Sequence, residues 1–255
     1  MPTPELLHFS VSHFNEKGRW ALDWKGVPHV RTALLPGPHK LRVQRVSGQG
    51  RVPVLRDGET VVVGSSQIIA HLEATTPTPP LYPPEPDACR RALDIQRWFD
   101  DEIGPAVRLA LFHELFEGDL GWFAAMFTNG RGLGTRLAYR AAIPGIRRVV
   151  ASEYAITAET ARVARDKTRE GLDFVAREAG PDGYLVGDRF SVADLAAAAL
   201  LAPAVDFHGG HPFPYPTPIS PVVLRFWEAW TAHPGAEWVR RTYARHRGTS
   251  AAIAG

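Results

Sequence analysis

Hydrophobic positions change period several times along the first third of the chain. The segment ELLHFSV at 5–11 suits a strand, and the residues after it place Phe14, Gly18, Ala21 and Leu22 at helical spacing before Gly26 stops the helix. A second short apolar stretch, HVRTALL from His29, leads into PGPHKLRVQRV, which predicts a loop and an irregular helix. Two β-rich runs at 52–63 (VPVLRDGETVVV) flank Asp57-Gly58, a hairpin signal. SSQIIAHLEA, from Ser65, reads as a capped helix with Ile68, Ile69 and Leu72 on one face. The predicted order is β-α-β-(α)-β-β-α, with the last two strands antiparallel.

The pattern then breaks at TTPTPPLYPPEPD, residues 75–87, whose prolines cannot supply the amide donors a helix or inner strand needs. A linker at 77–86 is therefore expected to divide a first domain, 1–76, from a second, 87–255. Helical periodicity dominates beyond it. Ile95, Phe99, Ile103, Val107 and Leu111 share a face, with a kink expected at Gly104-Pro105. TARVARDKTREGLDFVAREAG is another amphipathic helix, closed by Gly180-Pro181. Ser191-Val192-Ala193-Asp194 has capping-box spacing before LAAAALL, and VVLRFWEAWTAH adds a further helix. No internal repeat is visible, and the tail GTSAAIAG reads as frayed.

Composition narrows the function classes. With 255 residues, 45% of them hydrophobic, the chain can bury a sizeable core. A net charge of +2 without a Lys/Arg block argues against a nucleic-acid partner. The single cysteine, Cys89, has no internal disulfide partner. No signal-peptide pattern opens the chain and no apolar run reaches membrane-spanning length, so a soluble cytoplasmic protein away from membranes is expected. Lysine occurs only at Lys17, Lys25, Lys40 and Lys167, and alanine is abundant; the skew towards arginine carries the imprint of a GC-rich genome.

Candidate chemistry starts at the first turn, where Ser12 stands at the predicted start of a helix. Unpartnered backbone N–H groups and the positive end of the helix dipole can hold an anion there, and a serine can equally serve as a cap alone. His208 and His211 lie in a Pro/Gly loop without a cysteine or carboxylate cluster, so they read as loop histidines and no metal is expected. The run from Gly130 to Gly134 lacks the strand and spacing of a dinucleotide site and reads as a helix connection. Trp98, Phe99, Phe112, Trp122, Phe123 and Phe127 read mostly as core.

A small β-α-β/β-β-α unit, a proline-rich linker and a helical second half together resemble the cytosolic glutathione transferase family. Ser12-His13-Phe14, Arg19-Trp20-Ala21-Leu22 and Lys25-Gly26 are similar to that family's first turn and helix. Ser12 falls where the zeta, tau and theta-like classes carry serine. Val52-Pro53-Val54-Leu55 is similar to its cis-proline motif, Ser65-Ser66 to its γ-glutamyl-binding element, and GDRFSVAD, ending at Asp194, to its helical-domain capping box. The implied fold is an N-terminal thioredoxin-like α/β domain followed by an all-α domain, α+β overall.

The implied function is transfer of a small thiol, glutathione or another low-molecular-weight thiol, to an electrophile, in detoxification and without a metal. A free thiol with a pKa near about 8.5 is mostly protonated at neutral pH, so the catalytic task is to favour the thiolate. The resemblance assigns that to Ser12, with Ser10 the fallback if the turn is shifted. It gives backbone pairing with the peptide to Val52 before a cis Pro53, a plain turn proline being the alternative, and the γ-glutamyl carboxylate to Ser66, which can equally be a helix cap and nothing more. His39 and Lys40 would reach the glycine carboxylate, or else read as a solvated pair, and Phe14 would line an apolar second-substrate pocket. The same thiolate would also serve isomerisation or reductive dehalogenation. A non-catalytic binding or scaffold protein that keeps the fold is the alternative. Family members are typically homodimers, so a homodimer is expected.

Two departures stand out. Ser65 occupies a place where the family usually has Glu, Gln or Asp, and Asn15 one where related sequences tend to have cysteine. With the charged partner missing, glutathione is expected to bind more weakly, unless another carboxylate reaches in. A sugar-based thiol would fit such a site.

Overall fold

The computed structural model describes residues 2–254. Strands β1 (Glu5–His8), β2 (His29–Ala33), β3 (Val54–Asp57) and β4 (Thr60–Val63) alternate with helices α1 (His13–Trp24), α2 (His39–Ser47) and α3 (Ser65–Thr75) in the predicted order. The sheet order is β4-β3-β1-β2-β5. β1 runs parallel to β2, with Leu6 opposite Arg31, and antiparallel to β3, with Leu6 opposite Leu55. β3 and β4 form the hairpin expected at Asp57-Gly58, pairing Asp57 with Thr60. This is a thioredoxin-like α/β sheet domain, joined to a helical one.

The last strand, β5 (Ala252–Ile253), corrects the reading of a frayed tail: it pairs in parallel with β2, His29 opposite Ala252. Its anchor is Asp23 on α1, which accepts the Ala251 amide (2.8 Å) and ion-pairs with Arg247 (2.8 Å) and Arg31 (2.6 Å). Arg247 also reaches Glu16 at 2.6 Å.

Helices α4 (Pro86–Trp98), α5 (Gly104–Gly118), α6 (Leu120–Thr128), α7 (Leu133–Glu153), α8 (Ala158–Glu178), α9 (Val192–Leu201), α10 (Pro221–Glu228) and α11 (Pro234–His246) build the second half. The centre is α9, every residue of which is buried. Asp194 closes the expected capping box, accepting the Ser191 amide and hydroxyl at 2.9 Å and the Leu185 amide at 2.8 Å. The proline-rich stretch is pinned by Glu73, which takes the amides of Leu81 (2.8 Å) and Tyr82 (3.3 Å) and the Lys25 ammonium (2.5 Å). No described helix is long and apolar enough to cross a membrane.

α1 is the interface between the halves, packed on α3 on one side and α9 on the other. Trp20, fully buried, stacks on Phe190 at 5.6 Å and donates to the His246 carbonyl at 3.1 Å. Facing α1, the irregularity expected at Gly104-Pro105 takes the form of one π-helical turn, Phe99–Ile103, between α4 and α5. Proline offers no amide to the preceding turn, and the Gly104 amide reaches back to the Phe99 carbonyl instead.

Candidate functional site

Ser12 caps α1 from extended backbone (φ −90°, ψ 128°), its hydroxyl oxygen accepting the Asn15 amide at 3.4 Å. The Asn15 side chain, buried, donates to the same oxygen at 2.7 Å while its own carbonyl accepts the Phe9 amide at 2.9 Å. That second bond fixes which end of the amide faces Ser12. With both acceptor positions of the oxygen occupied, the hydroxyl proton is what Ser12 has left to offer, and the two incoming donors polarise it. Ser12 is half-buried at the positive end of α1. Ser10 precedes the helix and lines a pocket of about 320 Å³ with Ala33, Phe127 and Arg131.

The Val52-Pro53 peptide is cis, and Pro53 lies against Gly18 of α1, 3.6 Å from where a β-carbon would stand. The Pro53 carbonyl accepts the Gly64 amide at 2.9 Å. Among the described residues the amide and carbonyl of Val52 have no partner, which leaves one short edge of backbone open beside β3. His39 holds the loop before it: Nε2 donates to the Gly50 carbonyl (3.1 Å) and Nδ1 accepts the Gly37 amide (3.1 Å). Burial pulls its pKa down, so this imidazole is a neutral strut against Phe9 (4.7 Å), already committed to backbone. Lys40 is exposed, its stem beside Gly50.

Ser65 and Ser66 begin α3, Ser65 buried and Ser66 half-buried. The Ser66 hydroxyl donates to the Asp100 carboxylate and accepts the Lys17 ammonium at 2.7 Å. Lys17, fully buried, also meets both Asp100 oxygens at 2.5 and 2.7 Å. Asp100 belongs to the π-helical turn, so a carboxylate from the other half of the molecule does reach the start of α3. Neither Lys17 nor Asp100 stands out in the sequence, because a charged residue on an amphipathic helix carries no sign of its partner. The pair offers a cation and an anion within one hydrogen-bond length of Ser66, complementary to the carboxylate and ammonium of an α-amino acid. Lys17 stands about 7–8 Å beyond Ser12 along the α1 axis.

Phe14 packs on the same turn: a β-carbon on Gly104 would stand 2.9 Å from its ring. His13 bonds the Gly104 carbonyl at 2.9 Å, and burial, aided by the nearby Arg108 charge, drives its pKa down to about 3. His211 is structural, bonded to the Ala202 carbonyl (3.2 Å) and stacked on Trp227 (5.2 Å). The Gly130–Gly134 run joins α6 to α7, where Arg131 donates to the Ala33 carbonyl at 2.5 Å. Phe99, Trp122 and Phe123 are buried in the core, with Trp98, Phe112 and Phe127 packed half-buried against it. Cys89 sits on α4, at the far end from the π-helical turn.

The family described as glutathione S-transferase, N-terminal domain, matches residues 6–80, and glutathione S-transferase, C-terminal domain, matches residues 112–241. The chain is 24% identical over 212 residues to FtsZ-localized protein A of Caulobacter vibrioides, covering 82% of this chain and 79% of that one. In fold it is similar to a glutathione S-transferase from Rhodospirillum rubrum (TM-score 0.63, 20% identity, 96% and 90% of the two chains). It is also similar to one from Methylobacterium radiotolerans in complex with glutathione sulfonate (TM-score 0.55, 24% identity, 92% and 93%). With two family matches in sequence order over a thioredoxin-like sheet and a helical second half, the chain belongs to the glutathione S-transferase family.

Proposed function

We propose that this protein is a serine-type glutathione transferase that joins a thiol to an electrophile, with Ser12 donating its hydroxyl proton to the thiolate. The observation that carries the reading is the bond pattern at Ser12, whose oxygen receives Asn15 twice and whose proton is left for a ligand. The open Val52 backbone receives the cysteinyl residue as an added strand. Ser66, Lys17 and Asp100 receive the γ-glutamyl zwitterion: the ligand's carboxylate replaces Asp100 at Lys17, and its ammonium replaces Lys17 at Asp100. Glutathione is thereby the favoured thiol, since Asp100 supplies the acid that Ser65 does not. Conjugation, isomerisation and reductive dehalogenation all begin from the same thiolate. The protein acts as a cytoplasmic homodimer, which light scattering at micromolar concentration tests.

Ser12→Ala removes one charge-assisted hydrogen bond, worth about 1.5–3 kcal/mol, or roughly ten- to a hundredfold. We expect kcat/KM with a panel of electrophiles to fall by that factor, and the bound thiol to ionise at higher pH. An unchanged pH profile and rate would reduce Ser12 to a helix cap.

A second reading, a binding protein that keeps this fold without the chemistry, is favoured by one observation: Lys17, Asp100 and Ser66 already satisfy one another. The likeness to a protein named for its localisation with FtsZ agrees with it. Calorimetry decides: glutathione binding supports the transferase, whereas tight binding of apolar ligands with none of the thiol supports the second reading.

A further inference from the structure

Burying a cation without a counter-charge is costly, and this chain avoids it almost everywhere. Lys17 has Asp100, Arg19 has Glu16, Lys25 has Glu73, and Arg247 has both Glu16 and Asp23. Arg108 is different. Its Nε is buried with no hydrogen-bond partner, and no carboxylate among the described residues comes within ion-pair distance of its guanidinium. The acidic groups that act on it, Tyr154 and the exposed Glu153, do so only through space. The group lies instead between aromatic faces, 4.0 Å over the Tyr154 ring and 5.8 Å from the Phe14 ring.

Its position relates it to the thiol turn. Arg108 is one helical turn beyond Gly104 on α5, so both face the same way. Gly104 is what α1 touches there, through His13 and Phe14, the residues that follow Ser12. His13, neutral in this field, offers no negative charge. A guanidinium with free donors and aromatic neighbours, beside the residues that follow Ser12, matches a flat molecule carrying a carboxylate.

We propose that Arg108 is a specificity residue of the second-substrate site, and that the ligand it selects is an aromatic or unsaturated carboxylate whose body lies against Phe14 and Tyr154. The proposal rests on the reading of Ser12 as the thiolate's partner, because that puts the reacting sulfur beside this cation. In the simplest reaction of the class, the thiolate sulfur bonds to a ring carbon bearing chlorine. Chloride then leaves with the bonding pair, and the thiol proton has already passed to solvent.

The experiment separates binding from turnover. Calorimetry compares 4-nitrobenzoate with the uncharged 4-nitrobenzamide on the wild type and on Arg108→Met. We expect the wild type to prefer the carboxylate at least tenfold, and the variant to lose that preference while keeping the amide's affinity. The variant's urea midpoint should not drop, because Arg108, half-buried, gives up no ion pair or hydrogen bond on replacement. A wild type without preference, a preference that survives in Arg108→Met, or an equal loss of both ligands each overturns the proposal. Thiol consumption with 4-chloro-3-nitrobenzoate and its amide is then measured separately. A carboxylate preference in binding with no turnover of either upholds the anion site and overturns the transferase reading. Turnover of both at equal kcat/KM does the reverse.

Discussion

Asp100→Asn isolates the contact that joins the halves of the molecule at the proposed γ-glutamyl site. Lys17 is fully buried and Asp100 nearly so, with side-chain exposures of 0% and 17%, and their atoms meet at 2.5 Å. Burial pushes the Lys17 pKa down, and Asp100 opposes that push by attraction and by hydrogen bonding. Removing the carboxylate leaves an uncompensated buried ammonium, which costs about 3–5 kcal/mol. At about 2–4 °C per kcal/mol for a chain of this size, the melting temperature should fall by roughly 10 °C. Lys17→Met with Asp100→Leu, which removes both charges, should recover most of the loss, since well-packed apolar pairs often replace buried ion pairs at little cost.

Urea unfolding of the wild type, Lys17→Met, Asp100→Leu and the double variant closes the cycle. The sign of the pH dependence gives a second readout. In Asp100→Asn the folded state holds Lys17 at a depressed pKa, so it binds fewer protons than the unfolded chain below about pH 10. Its stability deficit should therefore shrink as pH rises from 7 towards 10. Single losses under about 1 kcal/mol that simply add, with no pH trend, would refute the reasoning.

Two further outcomes are expected. Burial drives the pKa values of His8, His13 and His211 down to about 3, so their stability contribution is complete above about pH 6.5 and is lost as pH falls; Asp194, pushed up to about 6 by burial, acts in the opposite sense over part of that range. These four groups together take up about two protons on unfolding, which should lower stability by roughly 2–3 kcal/mol between pH 6 and 5; His29, His39 and His246, also lowered by burial, act in the same direction, and a flat urea midpoint over that interval would count against it. Ser65→Glu should change glutathione affinity less than about threefold, because Asp100 already supplies the carboxylate and Ser65 is buried; tenfold tightening by calorimetry would show that Asp100 does not serve the ligand.

Much of the fold was legible because periodicity and turn chemistry are local properties. The element order of the first half, the Asp57-Gly58 hairpin and the Ser191–Asp194 capping box each rest on residues a few positions apart, whereas the cis Val52-Pro53 bond is expected through the family resemblance. β5 rests on nothing local. Its short sequence, Ala252–Ile253, is held by Asp23, and Arg247 is held by Glu16 and Asp23, all on a helix more than 200 positions earlier. A tail of small residues carries no trace of a carboxylate elsewhere, so it reads as frayed. The π-helical turn is intermediate: Gly104-Pro105 marks a disturbance, but the bond from the Gly104 amide to the Phe99 carbonyl, five residues back, is not written in that dipeptide.

For the candidate site, the sequence shows the residues whose type carries the message and hides those whose partner does. Ser12 at a helix start and Pro53 before a hairpin are informative alone. Lys17, Glu16 and Arg19 are not, because on one helix they look like a solvated face. α1 is nevertheless enclosed on both sides, by α3 and by α9, and such a helix ordinarily has no charged face. Here it keeps one because Asp100 and Arg247 arrive from the second half to neutralise it. The polar side of α1 is thus where the thioredoxin-like sheet and the helical domain recognise each other, and Ser66 shares in that recognition. A ligand that inserts an ammonium and a carboxylate there exchanges an internal pair for its own, so binding at Ser66 and docking of the two halves draw on the same charges.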